Sequence, residues 1–331
     1  MKIAFFHARG YERPSLEAEN TRHGHQISWF EATLAPETAA LAAGHDAVCI
    51  FVNDICNAEA IATLADCGVR LILCRSAGYN QVDLAAARAH GLTVMRVPGY
   101  SPESVAEHTV GLILSLVRQL HHQHNRVRDG NYALDGLVGF KLHQKTAGIF
   151  GTGRVGRAVA RILNGFGCRL LGYDIGENDE MRALGMTYAS RETLLSESDI
   201  VILTLPLTPE THHLIDAESL ALIKPGAVLV NTGRGALVDT RAAIDSLMAR
   251  DGLGYLGLDV YEEEAGKFFE DMSAQIVPDE TLLLLTNLRN ALVTPHSAFL
   301  TRESLAEIAT ATLENATAFE AGQPDPDRVV A

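Results

Sequence analysis

The sequence predicts an α/β protein of two doubly wound bodies, each a parallel sheet with helices on both faces, with an interdomain cleft. Short apolar runs alternate with helical stretches along almost the whole chain, the pattern of strands buried on both faces. The alternation is interrupted once, at Pro98-Gly99 and the following Ser101-Pro102-Glu103, which supplies an N-cap, a proline at the first helical position and an acid in the first turn. At 331 residues the chain is too long for one ordinary domain, and each half can bury its own core.

The strands of the first body are IAFF at 3–6, AVCIFV at 47–52, RLILC at 70–74 and TVMRV at 93–97. A long helix follows from Ser101 to about Arg118, with Val105, Thr109, Leu112, Ile113 and Leu116 on one face, and serves as the crossover to the second body. From Thr146 the second body reads AGIFG, a helix to Phe166, RLLGYD at 169–174, DIVILTL at 199–205, AVLVNT at 227–232, YLGLDV at 255–260 and ALVTP at 291–295. The last helical pattern, Glu303 to Ala321, is too short to stand alone. It is expected to return to the first body, ahead of a polar tail, GQPDPD.

Composition narrows the function classes. With 47% hydrophobic and 21% charged residues the chain is globular, neither disordered nor fibrous. A formal charge of −14 with no basic run repels polyphosphate and anionic lipid, so neither nucleic acid nor membrane is an expected partner. The cysteines, five in number, are odd and form no CxxC pair, which fits a reducing, cytoplasmic setting. His7 and Arg9 break the N-terminal apolar stretch before a secretory signal could form, and no run approaches the ~18 apolar residues of a membrane span. No metal is expected: His121, His122 and His124 point different ways along a helix and lack a partner at ligand spacing. Glu262, Glu263 and Glu264 read as a solvated run, and His212-His213 as solvent-facing.

Chemistry enters with Gly151-Thr152-Gly153-Arg154-Val155-Gly156. The motif follows a strand and opens a helix, so Gly151 permits the tight turn, Gly153 the close approach of a pyrophosphate, and Gly156 the packing of helix on sheet. Asp174 ends the next strand, where a carboxylate accepts hydrogen bonds from a ribose diol and repels a 2′-phosphate. NAD is therefore expected rather than NADP. Arg234, Asp259, Glu263 and His296 lie at or just beyond later strand ends, which converge on the ligand crevice of such a sheet. Hydride transfer to a ketone needs a proton donor and a clamp for the rest of the substrate. His296 suits the first role, with Glu263 to hold the ring and stabilise the imidazolium, and Arg234 suits the second. Asp259 stays open between capping a turn and touching the cofactor. In the first body, Ser76-Ala77-Gly78-Tyr79-Asn80 offers backbone N–H groups to a carboxylate, and the rings of Tyr100 and Phe299 are placed to limit substrate size.

The series GTGRVG, Asp174, LPLTPET, VNTGRGALVD, GLDVYEEE, FFED and TPHSAFLT, in that order, resembles the D-isomer-specific 2-hydroxyacid dehydrogenase family. AVCIFVND, RVPGYSPESVAEHTVGLILSL, FFED and HSAFLT are most similar to its fermentative D-lactate dehydrogenases. The resemblance implies two Rossmann-like or flavodoxin-like domains: a catalytic domain of residues 1–100 plus 299–331, and an NAD-binding domain of 101–298. It implies that Arg234 binds the 2-oxo acid carboxylate and that His296 is the acid/base with Glu263 as partner, while Ala77, Gly78, Tyr100 and Phe299 remain the substrate-binding candidates read from the residues themselves. The cofactor would lie on Gly151 to Gly156 and Asp174, with Leu205-Pro206-Leu207 at its adenosine side, Thr232 and Gly233 beside it, and Asp259 at the carboxamide. Reversible reduction of pyruvate to D-lactate by NADH, in a homodimer or homotetramer, is the activity this implies. Reductases of 2-oxoisocaproate, phenylpyruvate, glyoxylate or hydroxypyruvate are the alternatives, since Gly233 replaces a frequent Ser and Leu300 a frequent Tyr. A corepressor-like NADH sensor would need a peptide groove or basic tail, and neither is visible in the sequence.

Overall fold

The computed structural model describes residues 1–331 and separates them into two units, Met1–Ser101 with Leu300–Ala331, and Pro102–Phe299. The first unit runs β1 (Lys2–Phe5), α1 (Arg13–Asn20), β2 (Gln26–Trp29), β3 (Ala47–Ile50), α2 (Ala58–Asp66), β4 (Leu71–Cys74), α3 (Leu84–Ala89) and β5 (Thr93–Arg96). Its five strands form one parallel sheet in the order β2-β1-β3-β4-β5. Side chains alternate across it: Ala47 and Cys49 of β3 enter one apolar cluster, Val48 and Ile50 the other. That is the reason its strands read as unbroken apolar runs. β2, QISW, was not legible as a strand. It is a half-buried edge strand that pairs only with β1, so it needs no apolar run.

The second unit opens with α4 (Pro102–Val117) and α5 (Leu120–Arg128), then β6 (Thr146–Phe150), α6 (Arg154–Gly165), β7 (Arg169–Tyr173), α7 (Asp179–Ala183), β8 (Thr187–Tyr188), α8 (Arg191–Glu197) and β9 (Ile200–Leu203). It continues through α9 (Ala217–Leu222), β10 (Val228–Asn231), α10 (Thr240–Met248), β11 (Tyr255–Leu258), α11 (Glu280–Asn287) and β12 (Ala291–Val293). Seven parallel strands lie in the order β12-β11-β10-β9-β6-β7-β8. Chain direction across the sheet reverses between β6 and β9, and the crevice beyond the carboxyl ends of strands at such a switch point is where ligands bind. α4 buries Thr109, Leu112, Ile113 and Leu116 of the expected stripe, leaves Val105 half-buried, and packs on α6, β10, β11 and β12.

α12 (Arg302–Glu320) returns to the first unit, where it packs on α1, β4 and β5. Thr301 caps it, accepting a hydrogen bond from Ser304 N. The tail after it is more than a breaker. Val330 N donates to Val94 O at 2.9 Å, Val94 N to Ala331 O at 2.9 Å and Arg96 N to Arg328 O at 2.9 Å, so the chain end covers the edge of β5. No helix is long and apolar enough to cross a membrane.

Candidate active site

The turn after β6 is tight at Gly151 and Gly156 and open at Gly153. Gly151 has φ +89°, a conformation an L side chain rarely adopts, and its N–H donates to Tyr173 O at 2.8 Å. A Cβ on Gly156 would lie 1.9 Å from Gly151 O, whereas one on Gly153 would meet nothing within 4 Å. Glycine is therefore required at 156 for packing and leaves open space at 153. Gly153 is also the N-cap of α6 and gives it no side-chain cap, so the first N–H groups of that helix remain available to an anion. Arg154 is exposed, while Val155 is half-buried and Thr152 buried.

Asp174 is fixed at the end of β7. Its Oδ2 accepts from Thr152 N at 2.6 Å and Thr152 Oγ1 at 3.1 Å, and its Oδ1 from Ile175 N at 2.7 Å. No Lys or Arg pairs with it, and Ile175 is fully exposed, so the position suits a ribose diol and offers nothing to a 2′-phosphate. The turns after β9 and β10 close on this glycine turn. A Cβ on Gly151 would meet Leu205 N at 3.0 Å, and one on Gly233 would meet Leu205 O at 3.0 Å. Pro206 lies on the exposed side of that loop.

Asn231, fully buried at the end of β10, builds the turn that carries Arg234. Its Oδ1 accepts from Gly233 N at 3.0 Å and its Nδ2 donates to Arg234 O at 2.8 Å. Thr232 Oγ1 lies 2.8 Å from Thr109 Oγ1. The half-buried guanidinium of Arg234 donates only to its neighbour Gly233 O, at 2.8 Å from Nη1, and no carboxylate of the protein pairs with it. In a chain of net charge −14, a fork of donors left without an acid is chemically free to take an anion.

The acid beside His296 is Glu264, and not Glu263 as the sequence suggested. His296 Nδ1 lies 2.9 Å from Glu264 Oε1, with the two side chains about one-fifth exposed. The chain turns at Tyr261–Glu264, with Glu264 N donating to Tyr261 O at 3.3 Å and Tyr261 N to Glu264 Oε2 at 3.2 Å. This folds the last acid inward and leaves Glu263 exposed, its carbonyl accepting from Lys267 Nζ at 2.7 Å. Glu262 takes a third direction: Oε1 accepts from Thr240 N at 3.1 Å and Oε2 lies 2.9 Å from His213 Nε2. The three acids are therefore no solvated run, and His213 is paired rather than simply solvent-facing. A Cβ on Gly235 would lie 2.1 Å from Tyr261 C, which places the Arg234 turn directly on the segment leading to Glu264.

Asp259, 1% exposed, holds the turn on which His296 sits. Its backbone O accepts from His296 N at 2.7 Å, its Oδ1 from Thr294 Oγ1 at 2.6 Å and Ser297 N at 2.9 Å, and its Oδ2 from Ala298 N at 2.9 Å. Burial pushes its pKa up, but hydrogen bonds from His108, Thr294 and Ala298 N outweigh this and leave it below the usual aspartate value. Of the two roles left open by the sequence, the geometry displays the cap. Phe269, with its ring centroid 5.4 Å from that of His296, is a further neighbour that residue spacing did not single out. Phe299 is buried at the end of the second unit, and Tyr100 is half-buried near the end of the first unit's Met1–Ser101 segment. In the first unit the turn after β4 is closed by Ser76 Oγ donating to Gly78 O at 2.7 Å, and Ala77 N and Gly78 N are left without an acceptor in that turn.

Residues 110–298 match the family model described as D-isomer specific 2-hydroxyacid dehydrogenase, NAD binding domain. The chain belongs to this family of NAD-dependent oxidoreductases. It is 43% identical over 330 residues, spanning 100% of both chains, to the D-lactate dehydrogenase of Escherichia coli (strain K12). Among solved structures it is similar to the apo form of the D-lactate dehydrogenase from Escherichia coli, with TM-score 0.92, 41% identity and 100% of both chains covered. It is also similar to the pyruvate reductase of Chlamydomonas reinhardtii, with TM-score 0.93, 42% identity, and 98% of this chain and 97% of that one covered. NAD is thus the cofactor of this member of the family, in keeping with a glycine turn beside an Asp174 that pairs with no Lys or Arg.

Proposed function

We propose that the protein reduces pyruvate to D-lactate, reversibly, and that Arg234 and His296 divide the work. The observation that carries this is the Arg234 guanidinium, held half-buried on the Asn231 turn with no acid of its own. It is suited to take a carboxylate through two parallel charge-assisted hydrogen bonds. When bound, NADH supplies the hydride that adds to the ketone carbon. His296 uses Nδ1 on Glu264, so Nε2 is the nitrogen that gives its proton to the ketone oxygen as the C–O double bond opens, and takes it back in the oxidation. Glu264 keeps the ring in one orientation and stabilises the imidazolium that donates. The names of the similar proteins, a D-lactate dehydrogenase and a pyruvate reductase, support the small 2-oxo acid.

A homo-oligomer is the expected form. Tyr132, Leu134 and Val138, close together in the segment after α5, are 76%, 78% and 87% exposed, and large exposed apolar side chains of this kind favour association. The substrate assignment is tested by following NADH oxidation with pyruvate, phenylpyruvate, 2-oxoisocaproate, hydroxypyruvate and glyoxylate, and by resolving the product enantiomers. Pyruvate is expected to give the highest kcat/KM and D-lactate the only enantiomer. Preference for glyoxylate or for a bulky acid would overturn it.

A further inference from the structure

Helix α4 reaches both catalytic turns through adjacent residues. Thr109 Oγ1 donates to Val105 O at 2.7 Å, so in its 2.8 Å contact with Thr232 Oγ1 it accepts, and this ties the helix to the turn that leads to Arg234. His108 makes the second tie. Its Nε2 lies 3.1 Å from Thr294 Oγ1 and 3.3 Å from Asp259 Oδ1. The Thr294 hydroxyl hydrogen is committed to Asp259 Oδ1, at 2.6 Å, so Thr294 Oγ1 can only accept from the ring and Nε2 carries the proton. That N–H thus donates to the group that holds His296 in place.

The turn needs such a restraint. His296 has φ +54°, a conformation that is costly for a residue with a Cβ and persists only where its surroundings enforce it. The enforcing group is Asp259, whose carboxylate takes Ser297 N and Ala298 N and whose backbone O takes His296 N. Asp259 is 1% exposed while the His108 side chain is 26% exposed, so the imidazole is the more solvent-accessible partner of a buried carboxylate. We propose that His108 is a positioning residue for the reaction: by donating from Nε2 to Asp259 and Thr294 it orients the carboxylate that fixes the strained turn of His296. It touches neither Glu264 nor the guanidinium of Arg234 among its hydrogen bonds, and acts only through the turn. The inference rests on the acid/base role of His296.

The test compares His108→Leu, which fills the volume without a donor, with His108→Gln, whose amide can present an N–H near the Nε2 position. Displacing a catalytic group by about 1 Å costs on the order of 10²-fold in rate, so His108→Leu is expected to lower kcat by about 10-fold to 10²-fold. The KM for pyruvate and the dissociation constant of NADH should stay within about 3-fold, because the clamp and the glycine turn are untouched. In the protein without cofactor, amide exchange at Ser297 and Ala298 should accelerate by about 10-fold, a local loosening of the turn. His108→Gln should recover most of both effects. Thr294→Val, which removes the relay hydroxyl at constant shape, should reproduce the same split should His108→Leu fold poorly. A His108→Leu or Thr294→Val enzyme at wild-type kcat with unchanged Ser297 and Ala298 exchange would overturn the proposal, as would a His108→Gln enzyme no better than His108→Leu. His296→Asn is measured alongside: full activity there would sink the acid/base reading itself, whereas an inactive His296→Asn beside a fully active His108→Leu would sink the positioning role alone.

Discussion

Replacing Arg234 with Gln is expected to lower kcat/KM for pyruvate by about 10²-fold to 10⁴-fold, the equivalent of two hydrogen bonds to a charged group at roughly 1.5–3 kcal/mol each. The melting temperature should hardly move. Arg234 pairs with no acid and donates within the protein only to Gly233 O, so its removal strands no buried charge. Lys at the same position keeps the charge without the planar fork and should fall between the two. Pyruvate saturation curves and thermal melts on the three proteins check this. A parallel loss of stability in Arg234→Gln would mean that the guanidinium is a structural strut.

His296→Asn is expected to lower kcat by about 10²-fold to 10⁴-fold, the usual contribution of a positioned general acid. Asparagine can still donate to Glu264 from near the Nδ1 position, but it has no counterpart of Nε2 and hence no transferable proton. NADH affinity should be nearly unchanged, because the glycine turn and Asp174 lie on β6 and β7, away from the His296 turn on β12. Turnover at saturating substrate and a fluorescence titration with NADH separate the two quantities. Equal loss of both would assign His296 to the architecture.

The residues legible in the sequence are those whose role is set by a local backbone constraint. Gly151, Gly153 and Gly156 follow a strand and open a helix, and their spacing alone determines which must turn, which must leave space and which must pack. The placement of Asp174, Arg234 and His296 at strand ends was legible because a parallel sheet brings those ends to one edge whatever the loops do. The partner of His296 was not. Glu262, Glu263 and Glu264 are chemically identical neighbours, and only the turn at Tyr261–Glu264 sends them to His213, to solvent and to His296. No periodicity governs such a turn. His108 was hidden for a different reason. It flanks an apolar stripe on α4, and its partners Asp259 and Thr294 come from strand ends far along the chain. The pairing of residues 328–331 with β5 is non-local in the same way, and Arg328-Val329-Val330-Ala331 after a polar breaker is too short a run to read as a strand.

The comparison of Glu264→Gln with Glu263→Gln, as kcat for pyruvate reduction under identical conditions, tests the assignment of the acid/base pair most directly. The two substitutions are chemically the same, one position apart, and differ only in which way the side chain faces. Loss of the Glu264 charge removes the group that stabilises the imidazolium, and kcat is expected to fall by about 10²-fold. Glu263 is exposed and makes its one contact through its backbone carbonyl, so Glu263→Gln should remain within about 2-fold of the wild type. A loss confined to Glu263→Gln, or the same modest change in both, would contradict the pairing of His296 with Glu264.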